Sequence, residues 1–276
     1  MTTMTTMRPG PPAEPGGSGA RQRQEALRSV LGKVSLILTA FGEDDLSLSL
    51  TELTRRTGIA KATVHRLCQG LIAAELMERD GARYRLGLRL FEIGLRAPGQ
   101  RMLRQAARPI VEELAQALGN AVILAVPQGG DVLCIENAGT HRNWANSAVS
   151  GHRMRLHSSA AGKLTVAMLP AQYPLAAIVP RMERRTPRTL TPVRLPAELE
   201  RIRREGYATE IEESKIGYHA AAVPVLGPGN VYLAALSVIA PTAGTSLPKL
   251  LRELTAGAHA ITARLARQVA RAAPMS

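Results

Sequence analysis

Few aromatic residues, few cysteines and no long apolar run mark this sequence, and each shortage removes a class of protein. Phe, Trp and Tyr make up 3% of 276 residues, so any core must be built from Leu, Val, Ile and Ala. The two cysteines, Cys68 and Cys134, do not form a C-x-x-C pair. That pattern excludes a disulfide framework and points to a reducing compartment. The longest apolar stretch, around Val231 to Ala240, is too short to span a bilayer, so no membrane partner is expected. "MTTMTTMRPG" has no apolar h-region, and a cytoplasmic protein is the expectation. Acidic residues are also scarce: 22 against 35 basic, a formal net charge of +13. Such an excess favours polyanions, nucleic acid first. Its distribution does not locate a site, because much of it lies in "RMERRTPRTLTPVRLPAELERIRR" (181–204), which reads as a solvated helix and loop.

What is present begins with a tail. Residues 1–20 are mostly Thr, Met, Pro and Gly with little to bury, and a disordered tail over 1–22 is expected. From Gln24 to Phe41 apolar residues recur at i, i+3, i+4 and i+7, the stripe of an amphipathic helix. Ser49 followed by Glu52 is a capping-box signature for a helix over Leu50–Thr57. Gly58-Ile59 makes a tight turn, and a second helix follows over Lys61–Ala73 with Val64, Leu67 and Leu71 inward. Asp80-Gly81 then joins two short strands. Helix, turn, helix and basic hairpin is the order of a winged helix-turn-helix, whose second helix fits a major groove. Lys61, Ala62, Thr63, His65 and Arg66 occupy the outward N-terminal positions of that helix. Arg79, Arg83 and Arg85 of the hairpin suit phosphate or minor-groove contacts.

Beyond Leu88 the chain reads as a helix, a break at Pro98-Gly99 and a long helix ending at Gly119-Asn120. A hairpin around Gly129-Gly130 follows, then helices, three strands and a closing helix over about Lys249–Arg271. Strands separated by helices without strict alternation indicate an α+β domain with a mostly antiparallel sheet. The expected boundaries are 1–22 for the tail, 23–87 for the winged helix, 88–104 for a linker helix region and 105–272 for the second domain.

"LHSSAAGKLTVAML" (156–169) invites a nucleotide-loop reading through Gly162-Lys163, but the residue pattern rejects it. His157 stands where the first glycine belongs, and Leu164 where a metal-binding hydroxyl belongs. His157 beside Ser158 and Ser159 lacks a nucleophile elbow, so no catalysis is expected. His141, His152, His157 and Cys134 match no zinc spacing, and neither metal nor cofactor is expected. Instead, Ser158 or Ser159 can cap a helix whose first amides suit a carboxylate.

Together these segments resemble the IclR family of bacterial transcriptional regulators, from about Leu27 to Arg267. The resemblance rests on "LSLTELTRRTGIAKATVHRL", "YRLGLRLFEIG", "LHSSAAGKLTVA", "REGYATEIEESKIGYHAAAVPV" and "VYLAALSVIAP". It implies a winged helix domain, a linker helix and a GAF-like effector-binding domain in a dimer or tetramer. The implied partners are an operator in double-stranded DNA, with Arg55 joining the contacts named above, and a small-molecule effector. On the effector side it implies Glu210, Ala220 and Ser237 on strands, facing Ser158, Ser159, Ala160 and Gly162, with Leu156 and Leu164 as apolar wall. Departures from the family pattern are Ala62 for a usual Ser, Glu75 for a Gly and Arg155 for a Pro. Ala220 and Ala221 stand for a Cys or bulkier aliphatic, which predicts a roomier pocket. The rival expectation is a metabolite-binding module or enzyme that has lost DNA binding.

Overall fold

The structure, a computed structural model, describes residues 29–42, 45–95, 98–139, 151–243 and 246–272. The expected tail, the expected helix start at Gln24, and His141 lie outside the described residues. The chain divides into two compact units, Met1–Ala97 and Pro98–Ser276. That division falls inside the segment read as a linker region.

In the first unit, α1 (Val30–Thr39) precedes a two-residue strand β1 (Leu48–Ser49), α2 (Leu50–Thr57) and α3 (Lys61–Ala73). The wing consists of β2 (Met77–Asp80) and β3 (Arg83–Leu86), and α4 (Leu88–Leu95) follows. The capping box forms as its sequence predicts: the Glu52 N–H donates to Ser49 Oγ at 3.2 Å, and the Ser49 N–H donates to Glu52 Oε2 at 2.7 Å. Gly58 then ends α2 in the left-handed conformation, with φ +67°. On α3, Val64, Leu67, Cys68 and Leu71 face inward at i, i+3, i+4 and i+7. They meet Ile37, Leu53, Met77 and Tyr84 in one small core.

The wing is a three-stranded antiparallel sheet in the order β1-β3-β2. Its entry explains one departure from the family pattern, because Glu75 sits at φ +62°, where a Cβ is strained and glycine is not. Gly87 lies against the same turn: a Cβ there would fall 2.2 Å from the Glu75 carbonyl oxygen.

The second unit opens with α5 (Pro98–Leu118) and the hairpin β4 (Ala121–Gln128) and β5 (Asp131–Ala138). Then come β6 (Arg153–Arg155), α6 (Ala160–Met168), α7 (Leu175–Ile178) and α8 (Leu195–Glu205). The chain continues through β7 (Ala208–Ile211), β8 (Tyr218–Leu226), β9 (Tyr232–Pro241) and α9 (Leu247–Ala272). The six strands form an antiparallel sheet in the order β6-β5-β4-β9-β8-β7. The architecture is α+β, as the sequence indicates. Helices cover both faces. Val122, Leu124, Ala221, Val223, Leu236 and Val238 pack with residues of α5 and α9. The alternate positions Ala121, Ile123, Ala220, Ala222, Ala235 and Ile239 pack with α6, α7 and α8. Burial on both sides is why these strands read as continuous apolar runs rather than alternating ones.

Replacing Glu75 by Gly should relieve the left-handed strain and raise the stability of the first unit by about 1 kcal/mol. Urea denaturation checks it, with Glu75→Ala as the comparison. Alanine removes the exposed ion pair to Arg89 but keeps the strain, so it should bring no gain.

Candidate functional sites

On the first unit the outward face of α3 is polar. Lys61, Ala62, His65 and Arg66 are exposed, Thr63 is half-buried, and Arg55 is exposed on α2. Among the described residues, Arg55, Lys61, His65 and Arg66 make no side-chain ion pair or hydrogen bond. Ala60, at the N-cap of α3, has no side chain to satisfy the first amides, so the Lys61 and Ala62 N–H groups point out of the helix unpaired. The wing cations differ from one another. Arg79 lies over the Tyr84 ring, 5.4 Å from its centroid. Arg85 donates to Glu78 Oε2 at 2.7 Å. Arg83 is engaged by the protein itself: its Nε donates to Ser47 Oγ and its Nη2 to the Ser47 carbonyl, each at 2.9 Å. The same Nη2 donates to Glu52 Oε2 at 3.0 Å, joining β3 to the capping box. Arg83 thus braces the wing while remaining exposed, as Arg79 and Arg85 are.

In the second unit a cavity of about 480 Å³ opens between the sheet and the start of α6. The strand register builds its floor. Glu210, Ala220 and Ile239 are cross-strand neighbours in one row, and Ser237 and Ile123 are neighbours in the next. The facing wall is Ser158, Ser159, Ala160 and Ala161. Ser159 is the N-cap of α6, accepting from the Gly162 N–H at 3.0 Å while its hydroxyl donates to the Arg155 carbonyl at 2.8 Å. The Ser237 hydroxyl donates to the Ala221 carbonyl at 2.8 Å, so lone pairs are what it presents to the cavity. Arg153, Arg155, Arg185, Lys215 and His152 line the cavity as well, with Asp131 beside Arg155.

Of the residues the resemblance implies, Ser158, Ser159, Ala160, Glu210, Ala220 and Ser237 line this cavity. Leu156, Gly162 and Leu164 do not. Leu156 and Leu164 are buried in the core beneath α6, and a Cβ on Gly162 would meet the Arg155 carbonyl oxygen at 2.3 Å. Gly162 therefore permits close packing of helix on chain rather than ligand access. Ala221 is also misplaced by the sequence reading: strand alternation turns it to the opposite face, against α5 and α9. Lys163 is buried, with Nζ 2.5 Å from Glu213 Oε1 and 3.4 Å from Glu198 Oε1. His157 is buried too, its Nε2 3.0 Å from the Glu183 carbonyl oxygen, and burial holds its pKa below the usual histidine range.

A model of the IclR helix-turn-helix domain matches residues 30–81, and one of the IclR C-terminal domain of bacterial transcriptional regulators matches residues 97–265. The chain belongs to the IclR family of bacterial transcriptional regulators. The transcriptional regulator BhcR of Paracoccus denitrificans is 31% identical over 248 residues, covering 88% of this chain and 87% of its own. KdgR of Escherichia coli is 30% identical over 254 residues, covering 90% of this chain and 95% of its own. Among solved structures, an IclR homolog from Microbacterium hydrocarbonoxydans, complexed with 4-hydroxybenzoate, aligns with a TM-score of 0.78 at 27% identity. That alignment covers 87% of this chain and 100% of the homolog. These relatives are transcriptional regulators, so this IclR-type chain is a DNA-binding regulator with an effector-binding domain and is not an enzyme. Among its described residues no helix is long and apolar enough to cross a membrane.

The sequence reading of this IclR-family protein misses the arginines of the cavity. Arg153 and Arg155 lie on a three-residue strand too short to show a period, and Arg185 and Lys215 lie in loops. The available signal is Arg-x-Arg placed just before a capping Ser. Glu210 has an altered chemistry: burial pushes its carboxyl up to about 7 against a backbone hydrogen bond from Ser214 at 2.7 Å. The folded state then holds the proton more tightly than the unfolded chain, and stability falls as pH rises from about 4.5 through 7. Glu210→Gln removes that loss. Its melting temperature should rise relative to wild type between pH 5 and pH 8, by an amount equivalent to roughly 2–3 kcal/mol. A difference constant with pH contradicts this assignment.

Proposed function

We propose that this regulator binds a partly palindromic operator as a dimer or tetramer in the cytoplasm and that a small organic acid in the cavity modulates that binding. The observation that carries the effector reading is the cavity itself. The start of α6, Arg153, Arg155, Arg185 and Lys215 converge on it, and such a set attracts a carboxylate. The neighbour with 4-hydroxybenzoate supports an acid of that kind. For DNA, the support is the uncapped start of α3 with its unpaired cations, placed to meet phosphates and base edges. Oligomerisation is supported by apolar side chains left exposed on the first unit: Leu31 on α1 and Leu88, Phe91 and Ile93 on α4. The effector changes operator affinity only as far as its own affinity differs between the two states of the protein.

Two measurements test these readings. In gel-shift titrations against the DNA upstream of its own gene, binding should be specific and steeply salt-dependent. Lys61→Ala should weaken it and reduce the log–log salt slope by about one. A variant slope equal to wild type removes Lys61 from the interface. In calorimetry, 4-hydroxybenzoate or the six-carbon hydroxy acid gluconate should bind more tightly than pyruvate, because Ala220 leaves the floor open. Selective binding of two- and three-carbon acids overturns the roomy-pocket reading.

A further inference from the structure

Glu210 is the carboxyl on the sheet floor of a cavity whose other lining carboxyl, Asp131, is paired with Arg155, and it is 3% exposed. Among the described residues no cation forms an ion pair with it. On α6, the Lys163 ammonium is the nearest buried cation, and it is already held by Glu213 and by Glu198 of α8. Arg201 of α8 is bound by Glu198 and Glu205. In the loop after β7, Glu213 adds a second negative charge, while Lys215 lies over the Tyr218 ring at 5.2 Å. From β5 and β6, Asp131 faces Arg155, and Arg153 donates to the Gln128 carbonyl at 3.1 Å. Arg185 and His152 complete the charged and titratable lining. On β8, His219 belongs to the alternate positions that face away from the cavity.

The floor also lacks a donor. The Ser237 hydroxyl is engaged by Ala221, and Ala220, Ile123 and Ile239 have no polar side-chain atoms. An anion whose carboxylate sits at α6 therefore reaches a floor that repels its second oxygen if Glu210 is ionised and binds that oxygen if Glu210 carries a proton.

Resting on the effector reading above, we propose that Glu210 is a proton-linked recognition group. The organic anion enters with one proton, which resides on the Glu210 carboxyl and is donated in a hydrogen bond to the ligand oxygen at the sheet floor. The ligands favoured are acids with a second acceptor oxygen, and the regulator's response to them strengthens as pH falls. The elevated titration of Glu210 supports this: in the free protein at pH 8 the carboxyl is mostly ionised, so binding must draw the proton from solvent.

The test is calorimetry of the full chain with 4-hydroxybenzoate and with gluconate at pH 8, in phosphate and in Tris, whose ionisation enthalpies differ. The expected result is uptake of about one proton per bound acid, with affinity weakening by about tenfold between pH 8 and pH 9. Glu210→Gln should bind the same acid with no uptake, while His152→Gln should retain it. Binding by wild type without proton uptake overturns the proposal and leaves the effector reading standing, whatever the folding of the variants. Uptake lost in His152→Gln and kept in Glu210→Gln also overturns it. No binding of either acid at any pH from 5 to 9 overturns the effector reading and the proposal together.

Discussion

The constraint on which the second unit depends is the burial of its sheet on both faces. A six-stranded sheet with helices on each side has no solvated strand positions except at its edges, so nearly every central side chain must be apolar and small enough for a helix to pack on it. Polar groups that persist there carry a desolvation cost. Ser237 offsets it with a bond to the neighbouring strand, and Glu210 offsets it with the Ser214 amide and by holding its proton more tightly. Both face the same cavity. On the face toward α6, α7 and α8, where their neighbours are Ala and Ile, this polar pair identifies that cavity more sharply than its size does.

A second buried polar cluster fixes the walls. Lys163 reaches from α6 to Glu213 in the loop after β7 and to Glu198 on α8, so one ammonium joins three segments. The same loop is held from its other side by Thr186, which donates to the Glu212 carbonyl at 2.6 Å, and by Thr189, which donates to the Glu213 carbonyl at 2.7 Å. Ser214 Oγ donates to the Ser158 carbonyl at 2.7 Å and closes the loop onto the start of α6. The lysine that gives the sequence its false likeness to a phosphate loop therefore has a structural task. A buried ion pair of this kind is a weak source of net stability, but removing one partner strands the other.

How much of this was legible in the sequence depends on how local each determinant is. The bounds of α2 and the start of α3 follow from Ser49, Glu52 and Gly58, signals within four residues of what they control. The hairpin turn at Gly129-Gly130 is equally local, and the Asp80-Gly81 signal falls one residue early, since Asp80 still pairs with Arg83 and the loop is Gly81-Ala82. The cavity is a product of register. That Glu210 stands beside Ala220 and Ile239 is set by the pairing of β7, β8 and β9, and uniformly apolar strands give no alternation from which to read a facing side. Ala221 was assigned to the wrong face for that reason. Leu156 and Leu164, wall positions by the family resemblance, lie in the core instead, because neighbours in sequence at a helix start differ in depth.

The brace formed by Arg83 has a consequence for any survey of the wing by truncation. This guanidinium holds β3 to Ser47 and to the carboxylate that caps α2. Its loss would loosen the scaffold that presents the neighbouring helix, and an alanine scan would score that loosening as a lost contact with the nucleic acid. A weakened titration of an Arg83 variant would then report a loosened wing as readily as a lost phosphate, and only a parallel record of folding would tell the two apart.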